Sequence, residues 1–361
     1  MPKKIGKANR WPCGQCKLSC KTDCVCCESC NVWFHAKCER LSANEMSTLS
    51  DNSVYFICTN CCKNDQGNFD YDAALMRLYS SAQKSASEFD AAAKSEQVAA
   101  RFLTIPPIDE SMPCVLPTDC TAMEILKLVR SKQNRRAVCV PGDGNCLFSA
   151  ASVALSGHTE LSKQLRLQTC IELGINTDFH KSVMADQRYD FVSRNFSDAC
   201  KSTAKNYAYS DAWTIQALSS AIGRQIRIVY PYVNGQFDET ARILDSTFKP
   251  KDERHRQGIS IMWSSTSMPV TGRTWLPNHF VPLVDVADTP IEITLSPKRS
   301  PSEWPELPKR NLRSSPVSKT SPFPNRFDTH TNVIAVVIVN FINLCTYKAG
   351  MFSFNHVHCN S

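Results

Sequence analysis

Cysteine spacing constrains this chain before anything else does. Four short pairs follow one another near its start: Cys13-x2-Cys16, Cys27-x2-Cys30, His35-x2-Cys38 and Cys58-x2-Cys61. A Cys-x2-Cys turn points both sulfurs at one ion, and two such pairs close a tetrahedral site. Eight ligands therefore predict two zinc ions. No position is left for water, so both ions are structural rather than catalytic. A segment this short buries too little apolar surface to fold alone, and metal binding supplies the missing free energy. Cys20, Cys24, Cys26 and Cys62 are left over. Cys24 or Cys26 could replace Cys27 as third ligand, but Cys27 alone makes the x2 pair with Cys30.

The remaining cysteines refine the compartment. Of 19 in 361 residues, eleven lie between Cys13 and Cys62, and the other eight are scattered. Residues 1–10 are basic and carry no apolar core, so no secretory signal is expected. Zinc-bound thiolates in a reducing compartment fit this pattern better than a disulfide scaffold does. The net charge of +7 permits nucleic-acid contact without demanding it, and no direct DNA-binding motif stands out.

With its histidine fifth among the ligands, the segment 11–62 resembles a PHD finger. Trp33 and Phe34 before the histidine, and Phe56 before the last pair, match as well. The resemblance implies interleaved ligation. Cys13, Cys16, His35 and Cys38 would hold one zinc; Cys27, Cys30, Cys58 and Cys61 would hold the other. It also implies a histone H3 tail as partner, added as a strand near Asp23–Cys26. Trp33 stands where methyl-lysine readers place one wall of an aromatic cage, and Trp11 is the candidate for a second wall. The alternative is that Trp33 simply packs the finger.

From Tyr71 to about Phe102 the chain is rich in Ala, Ser, Glu and Lys and free of Gly and Pro. Leu75, Tyr79, Ala82, Phe89 and Ala93 recur at roughly heptad spacing, which predicts one long helical linker over 71–103. Residues 121–290 then alternate between helix and strand patterns. Thr121 is a candidate cap for a helix over 122–131, and 137–140 reads as a short strand. A helix is expected over 160–173 and another from Asp211 to Gly223. Strands follow at 226–230, 259–263 and 280–284.

Val140-Pro141-Gly142-Asp143-Gly144-Asn145-Cys146-Leu147-Phe148 places a cysteine after a glycine turn, where an apolar run begins. A thiol at a helix N-terminus feels the positive end of the dipole. The Gly142, Gly144 and Asn145 amides can face a developing oxyanion. Far downstream, Asn278-His279-Phe280-Val281-Pro282-Leu283 offers a base. This pair of motifs resembles the ovarian-tumour (OTU) cysteine protease family. The resemblance implies an α/β (α+β) papain-type fold, Cys146 as nucleophile, His279 as base, Asp143 as brace of the loop, and ubiquitin or a ubiquitin-like protein as substrate. Many OTU enzymes carry an orienting Asp or Asn two residues after the histidine. Here Val281 stands there, and replacing it with Asp or Asn is expected to raise turnover if the missing orienting group is the limitation.

Over roughly 136–286 the chain also resembles vertnin-like proteins, through Ala150–Leu155, Trp213–Arg224, Ile228–Pro231, Ile261–Trp263 and Phe280–Val284. That resemblance implies a nuclear setting and transcription regulation. Two functions follow: a chromatin-bound deubiquitinase, or an inactive OTU scaffold in a transcription regulator or a mobile-element-derived protein. Localisation is expected to be nuclear, otherwise cytoplasmic. Residues 291–361 read as a disordered tail with Ser-Pro sites and short basic clusters. Its apolar run, 333–344, is shorter than the roughly 20 residues a spanning helix needs, so no membrane anchor is expected.

Overall fold

A computed structural model of the chain describes residues 11–108, 114–128, 134–231, 243–255, 257–266 and 277–285, within one compact unit spanning Met1–Val286. The expected tail, with its Ser-Pro sites, basic clusters and apolar run, lies outside the described residues.

The N-terminal segment is built on a two-stranded ribbon. β1 (Cys24–Cys26) pairs antiparallel with β2 (Trp33–His35), with Cys24 opposite His35 and Cys26 opposite Trp33. A short helix, α1 (Ala43–Thr48), follows a capping box: Ser42 accepts from the Glu45 amide, and the Glu45 side chain accepts from the Ser42 amide. Among its few apolar core residues are Val25, Phe34, Phe56 and Ile57.

The stretch expected to be one linker helix is two packed helices, α2 (Tyr71–Lys84) and α3 (Ala86–Ala99). Ser85 separates them. Its backbone is extended, at φ −159 and ψ 165, and its hydroxyl accepts the Glu88 amide at 3.1 Å. A serine that can cap the next helix competes with continuing the previous one. Nor is the pair an exposed spacer. Leu75 and Leu78 of α2 and Phe89, Ala92 and Ala93 of α3 pack on Leu167, Cys170 and Ile171 of α6 (Ser162–Ile175). A Cβ added at Gly174 would collide with Ala93, so the small residues set how closely these helices approach. From its other side α3 gives Val98 and Ala99 to the core of the N-terminal segment. Fully buried Glu96 accepts from Arg77 Nε at 2.6 Å and from the Tyr55 hydroxyl at 2.9 Å. Arg101 reaches back to the buried Glu39 carboxylate at 3.2 Å.

The larger sheet has five strands: β3 (Arg135–Ala137), β4 (Ile226–Val229), β5 (Thr247–Phe248), β6 (Ile259–Ser264) and β7 (His279–Asp285). Their order is β3-β7-β6-β4-β5, with β4 and β6 parallel and the other pairs antiparallel. Alternation along the strands sorts residues between two faces. Ile226, Ile228, Ile261, Trp263 and Phe280 meet α5 (Cys146–Ser156) and α9 (Ala212–Ile222). Val229, Met262, Val281 and Leu283 meet α4 (Cys120–Leu126). Helices therefore cover both faces of a mixed sheet. α4 starts two residues earlier than expected, because Asp119 rather than Thr121 caps it, accepting the Ala122 amide at 2.8 Å. Gly223 ends α9 in the left-handed conformation, at φ 63. Among the described residues, no helix is long and apolar enough to cross a membrane.

Candidate active site and metal centres

The loop leading into α5 is built by its own short-range bonds. Asp143 Oδ1 accepts the Asn145 amide at 2.9 Å and closes the turn. Gly144 sits at φ +85, and a Cβ there would strike the Tyr207 carbonyl, so backbone conformation and space both demand glycine. Asn145 occupies the N-cap of α5 without making a side-chain cap bond. Its amide is used elsewhere: Nδ2 donates to Asn206 Oδ1 at 3.1 Å, and Oδ1 accepts from Arg166 Nε at 2.7 Å.

Cys146 opens α5 and is 2 % exposed. Burial pushes its thiol up to about 11, although the Phe280 and Leu147 amides, both donating toward the sulfur, favour the thiolate. His279 begins β7, opposite Ser264, and is 3 % exposed. A Cβ on Gly142 would lie 3.8 Å from Cε1 and from Nδ1 of the ring, so the cysteine loop lies over the histidine. Burial holds His279 below the ordinary histidine range, against the pull of Asp119, Asp143 and the Val140 backbone. The resting pair is thus a neutral thiol and a neutral imidazole. Of the three residues expected from the sequence to act together, Asp143 and Cys146 lie on one loop, and His279 on β7 has the Gly142 turn of that loop beside its ring.

Asn278 turns aside and clamps Thr266, accepting its amide at 3.0 Å and facing its hydroxyl at 3.2 Å. Val281 is fully buried against α4 together with Ala122, Ile125 and Met262. An acid at 281 would enter an apolar layer, so the expected gain from restoring one there is withdrawn.

Two residues that sequence reading passed over shape the site. Arg166, on α6, is 1 % exposed, yet the oxygens it donates to are all neutral. Nη2 donates to the Gly144 and Ala208 carbonyls at 2.9 and 2.8 Å. Nη1 reaches the Thr203 and Lys205 carbonyls at 3.1 and 3.0 Å. The guanidinium also lies 4.4 Å over the Phe148 ring. It fastens the cysteine loop to the 202–208 segment, and its charge favours a thiolate at Cys146. An arginine between Leu165 and Leu167 in an apolar helix face was the available signal. Tyr209 is the other. Its ring stacks on Phe280 at 5.7 Å, and its buried hydroxyl has no hydrogen-bond partner.

The N-terminal cysteines assemble into clusters that could hold metal ions. Cys13, Cys16, His35 and Cys38 bring their ligand atoms within 4.8 Å of one another, and so do Cys27, Cys30, Cys58 and Cys61. His35 Nδ1 is 3.4 Å from Cys16 Sγ and 3.9 Å from Cys38 Sγ. Tetrahedral zinc with bonds of about 2.3 Å to sulfur and about 2.0 Å to nitrogen sets such an edge at about 3.5 Å. His35 Nε2 faces the Ser19 carbonyl at 3.3 Å, the outer-shell contact that orients a metal-bound imidazole. The donor set therefore fits zinc. Cys20 and Cys24 also lie within 4.8 Å of His35, as a third group. Trp33, half-buried, has the exposed ring of Trp11 beside it, with centroids 6.1 Å apart.

A family model for the OTU domain of vertnin matches residues 137–202 and 186–264, the stretch that carries Cys146, Arg166, β4 and β6. The chain carries an OTU-like domain that resembles vertnin. Mouse vertnin is 26 % identical over 231 residues, covering 57 % of this chain and 30 % of that protein. Human vertnin is 26 % identical over 261 residues, covering 65 % and 35 %. The chain therefore spans about a third of the length of these relatives. Among solved structures, the OTUD1 OTU domain is 18 % identical, with a TM-score of 0.31, and covers 46 % of this chain and 95 % of that one. The OTU-like domain thus places a buried thiol beside two backbone amides and an imidazole beside the loop that precedes it.

Proposed function

We propose that the chain is a zinc-finger protein whose OTU-like domain hydrolyses isopeptide bonds to ubiquitin or a ubiquitin-like protein. One observation carries this reading: the Cys146 thiol sits at the start of α5, between the Phe280 and Leu147 amides, under a loop that also covers His279. In the reaction His279 takes the thiol proton as Cys146 sulfur attacks the substrate carbonyl carbon. The loop amides hold the oxyanion. The imidazolium returns its proton to the departing amine, and water, deprotonated by the same ring, hydrolyses the thioester. With a neutral resting pair, proton transfer accompanies attack rather than preceding it. A ubiquitin probe bearing a C-terminal electrophile should label the wild type, should not label Cys146→Ala, and should label His279→Ala far more slowly. Absence of labelling in a folded wild type would defeat the reading.

A second reading has its own support. Both reacting groups are nearly sealed from solvent, and the mouse and human relatives described above are vertnins. In that reading the domain is an inactive scaffold within a transcription regulator or a mobile-element-derived protein, and the same probe decides between the two. For the N-terminal segment we propose two structural zinc ions in a PHD-type finger that takes a histone H3 tail in the nucleus. Trp33 and Trp11 would form adjoining walls for a lysine side chain. Titration with H3 peptides tests this. Unchanged binding by a folded Trp33→Ala variant would remove the cage.

A further inference from the structure

The bonds that hold Asn145, the residue before the thiol, lead outward to α2. Arg166 Nε donates to Asn145 Oδ1 at 2.7 Å, and Asn145 Nδ2 donates to Asn206 Oδ1 at 3.1 Å. Asn206 Nδ2 in turn donates to Asp72 Oδ1 at 3.1 Å. The second oxygen of that carboxylate, Oδ2, accepts from Lys163 Nζ at 2.7 Å. Four side chains remote in sequence therefore form one chain of hydrogen bonds, and its direction is fixed. An amide can present either end to a neighbour, but a guanidinium can only donate and an ionised carboxylate can only accept. Arg166 turns the Asn145 oxygen toward itself, and Asp72 turns the Asn206 nitrogen toward itself. The two requirements agree, because the amides then meet nitrogen to oxygen in the middle. Every bond points from a buried cation to a half-exposed anion, so the bonds polarise one another.

We propose that Asp72 is a positioning residue for the Cys146 loop. It acts through Asn206. By accepting from Nδ2 it holds the Asn206 oxygen where it takes both the Asn145 amide group and the Tyr207 backbone amide, the latter at 3.1 Å. Asn145 is then held at both ends of its side chain while its own backbone amide closes the turn onto Asp143. Fixing that residue fixes the direction in which the chain enters α5, and with it the place of the Cys146 sulfur. Through two amides the carboxylate also supplies the counter-charge that is missing among the direct acceptors of Arg166. Asp72 lies in the first turn of α2, well before residue 137, where the match to the OTU domain of vertnin begins. The stretch expected to be a linker thus contributes a working part to the site. Its catalytic consequence rests on the isopeptidase reading; the chain of bonds does not.

The test separates the two. Asp72 and Lys163 are about half exposed, so their ion pair adds little to global stability and Asp72→Ala should keep its fold. In the full zinc-loaded chain labelled with 15N-asparagine, the side-chain amide signals of Asn145 and Asn206 are assigned by their loss in Asn145→Ala and Asn206→Ala. In Asp72→Ala the Asn145 signal should shift, although the bond lost is to Asn206. Alkylation of Cys146 by iodoacetamide without denaturant should speed up by between about twofold and tenfold, the range one net hydrogen bond is worth. Ubiquitin-probe labelling should slow by a similar factor in its maximal rate, with the half-saturating probe concentration unchanged. Asp72→Asn keeps an oxygen for Asn206 and should restore most of each. The double variant Asp72→Ala/Asn206→Ala should be no worse than Asn206→Ala alone, because both cut the same chain; additive losses would overturn the proposal. Asp90→Ala, which removes the exposed ion pair to Lys94 on α3, controls for loss of a surface acid and should change none of these. An unmoved Asn145 signal with unchanged alkylation in Asp72→Ala also overturns it, whatever the activity. If the wild type never labels, the isopeptidase reading fails while the Asn145 signal and the alkylation rate still decide the positioning.

Discussion

Replacing Arg166 with methionine should damage both the fold and the site, and the size of the effect can be worked from its contacts. The side chain fills a buried position and donates to Asn145 Oδ1 and to the carbonyls of Gly144, Thr203, Lys205 and Ala208. Methionine keeps much of the apolar stem and removes every donor. Each buried acceptor left bare costs about 1–3 kcal/mol, and Asn145 Oδ1, Gly144 O and Ala208 O are the most exposed to that loss. Against this, removing a desolvated cation that lacks a carboxylate partner returns part of the cost. The net expectation is a loss of about 3–5 kcal/mol, comparable to breaking a buried ion pair. Urea denaturation at pH 7 measures it as a lower midpoint at unchanged slope. Alkylation of Cys146, followed by mass spectrometry in the absence of denaturant, reports the local effect: a loosened 144–145 loop should expose a thiol that is now sealed. Arg166→Lys, which keeps the charge and loses the fork, should recover little. A shift below about 1 kcal/mol with Cys146 still protected would show that these bonds do not hold the loop.

Four further outcomes are expected. Because burial lowers the His279 pKa in the folded state, stability should be complete above the ordinary value of 6.5 and decline as pH falls through the lowered one; His279→Gln should flatten that decline. The Cys146 thiol shifts the other way, from 9.0 to about 11, so its contribution should be intact below pH 9 and fade as pH rises toward 11, with Cys146→Ala lacking this alkaline component. Metal analysis of the purified chain should give two zinc ions; Cys27→Ser should unfold the finger whereas Cys26→Ser should be mild, and a ratio near zero in a folded protein would refute the ligand assignment. Val281→Asp should lower the thermal midpoint and destabilise by about 3 kcal/mol or more, since it buries a carboxylate among Ala122, Ile125 and Met262; a neutral or stabilised variant would contradict the packing described for α4.

Much of the site was legible because its chemistry is local. The Cys-x2-Cys pairs encode their geometry in two intervening residues, and Asp143 to Cys146 encode a turn and a helix start in four. Asp211 and Gly223 bracket α9 with an N-cap and a left-handed stop, both readable from residue type. Residues whose meaning depends on distant partners were not legible. Ser85 looks like one more polar position in a helix until the packing of α3 on α6 makes a break there favourable. Asp119 lies eighteen residues from Ala137, the β3 residue whose carbonyl its amide meets. Arg166 reads as a surface charge, because its acceptors come from two loops that the sequence does not place together. α7 (Thr177–Asp186) and α8 (Phe196–Ala204) carry mixed patterns in which Asn195 is a cap only in retrospect. The valine at 281 misled for a related reason. A strand position shows which face a side chain takes only once the helix covering that face is known.

α3 has one face in the finger and the other on α6, and α6 carries the arginine that fastens the cysteine loop. A metal held at one end and the thiol at the other would therefore be energetically linked through a shared beam. Removing zinc would strip Val98 and Ala99 of their partners and free Arg101 from Glu39, and the loss would be felt where Ala93 presses on Gly174. Such coupling is reciprocal by thermodynamic necessity. A ligand that tightened the loop around Asn145 would also raise the affinity of the finger for its ions. In such an arrangement the two ends would respond to a perturbation of either as a single cooperative body.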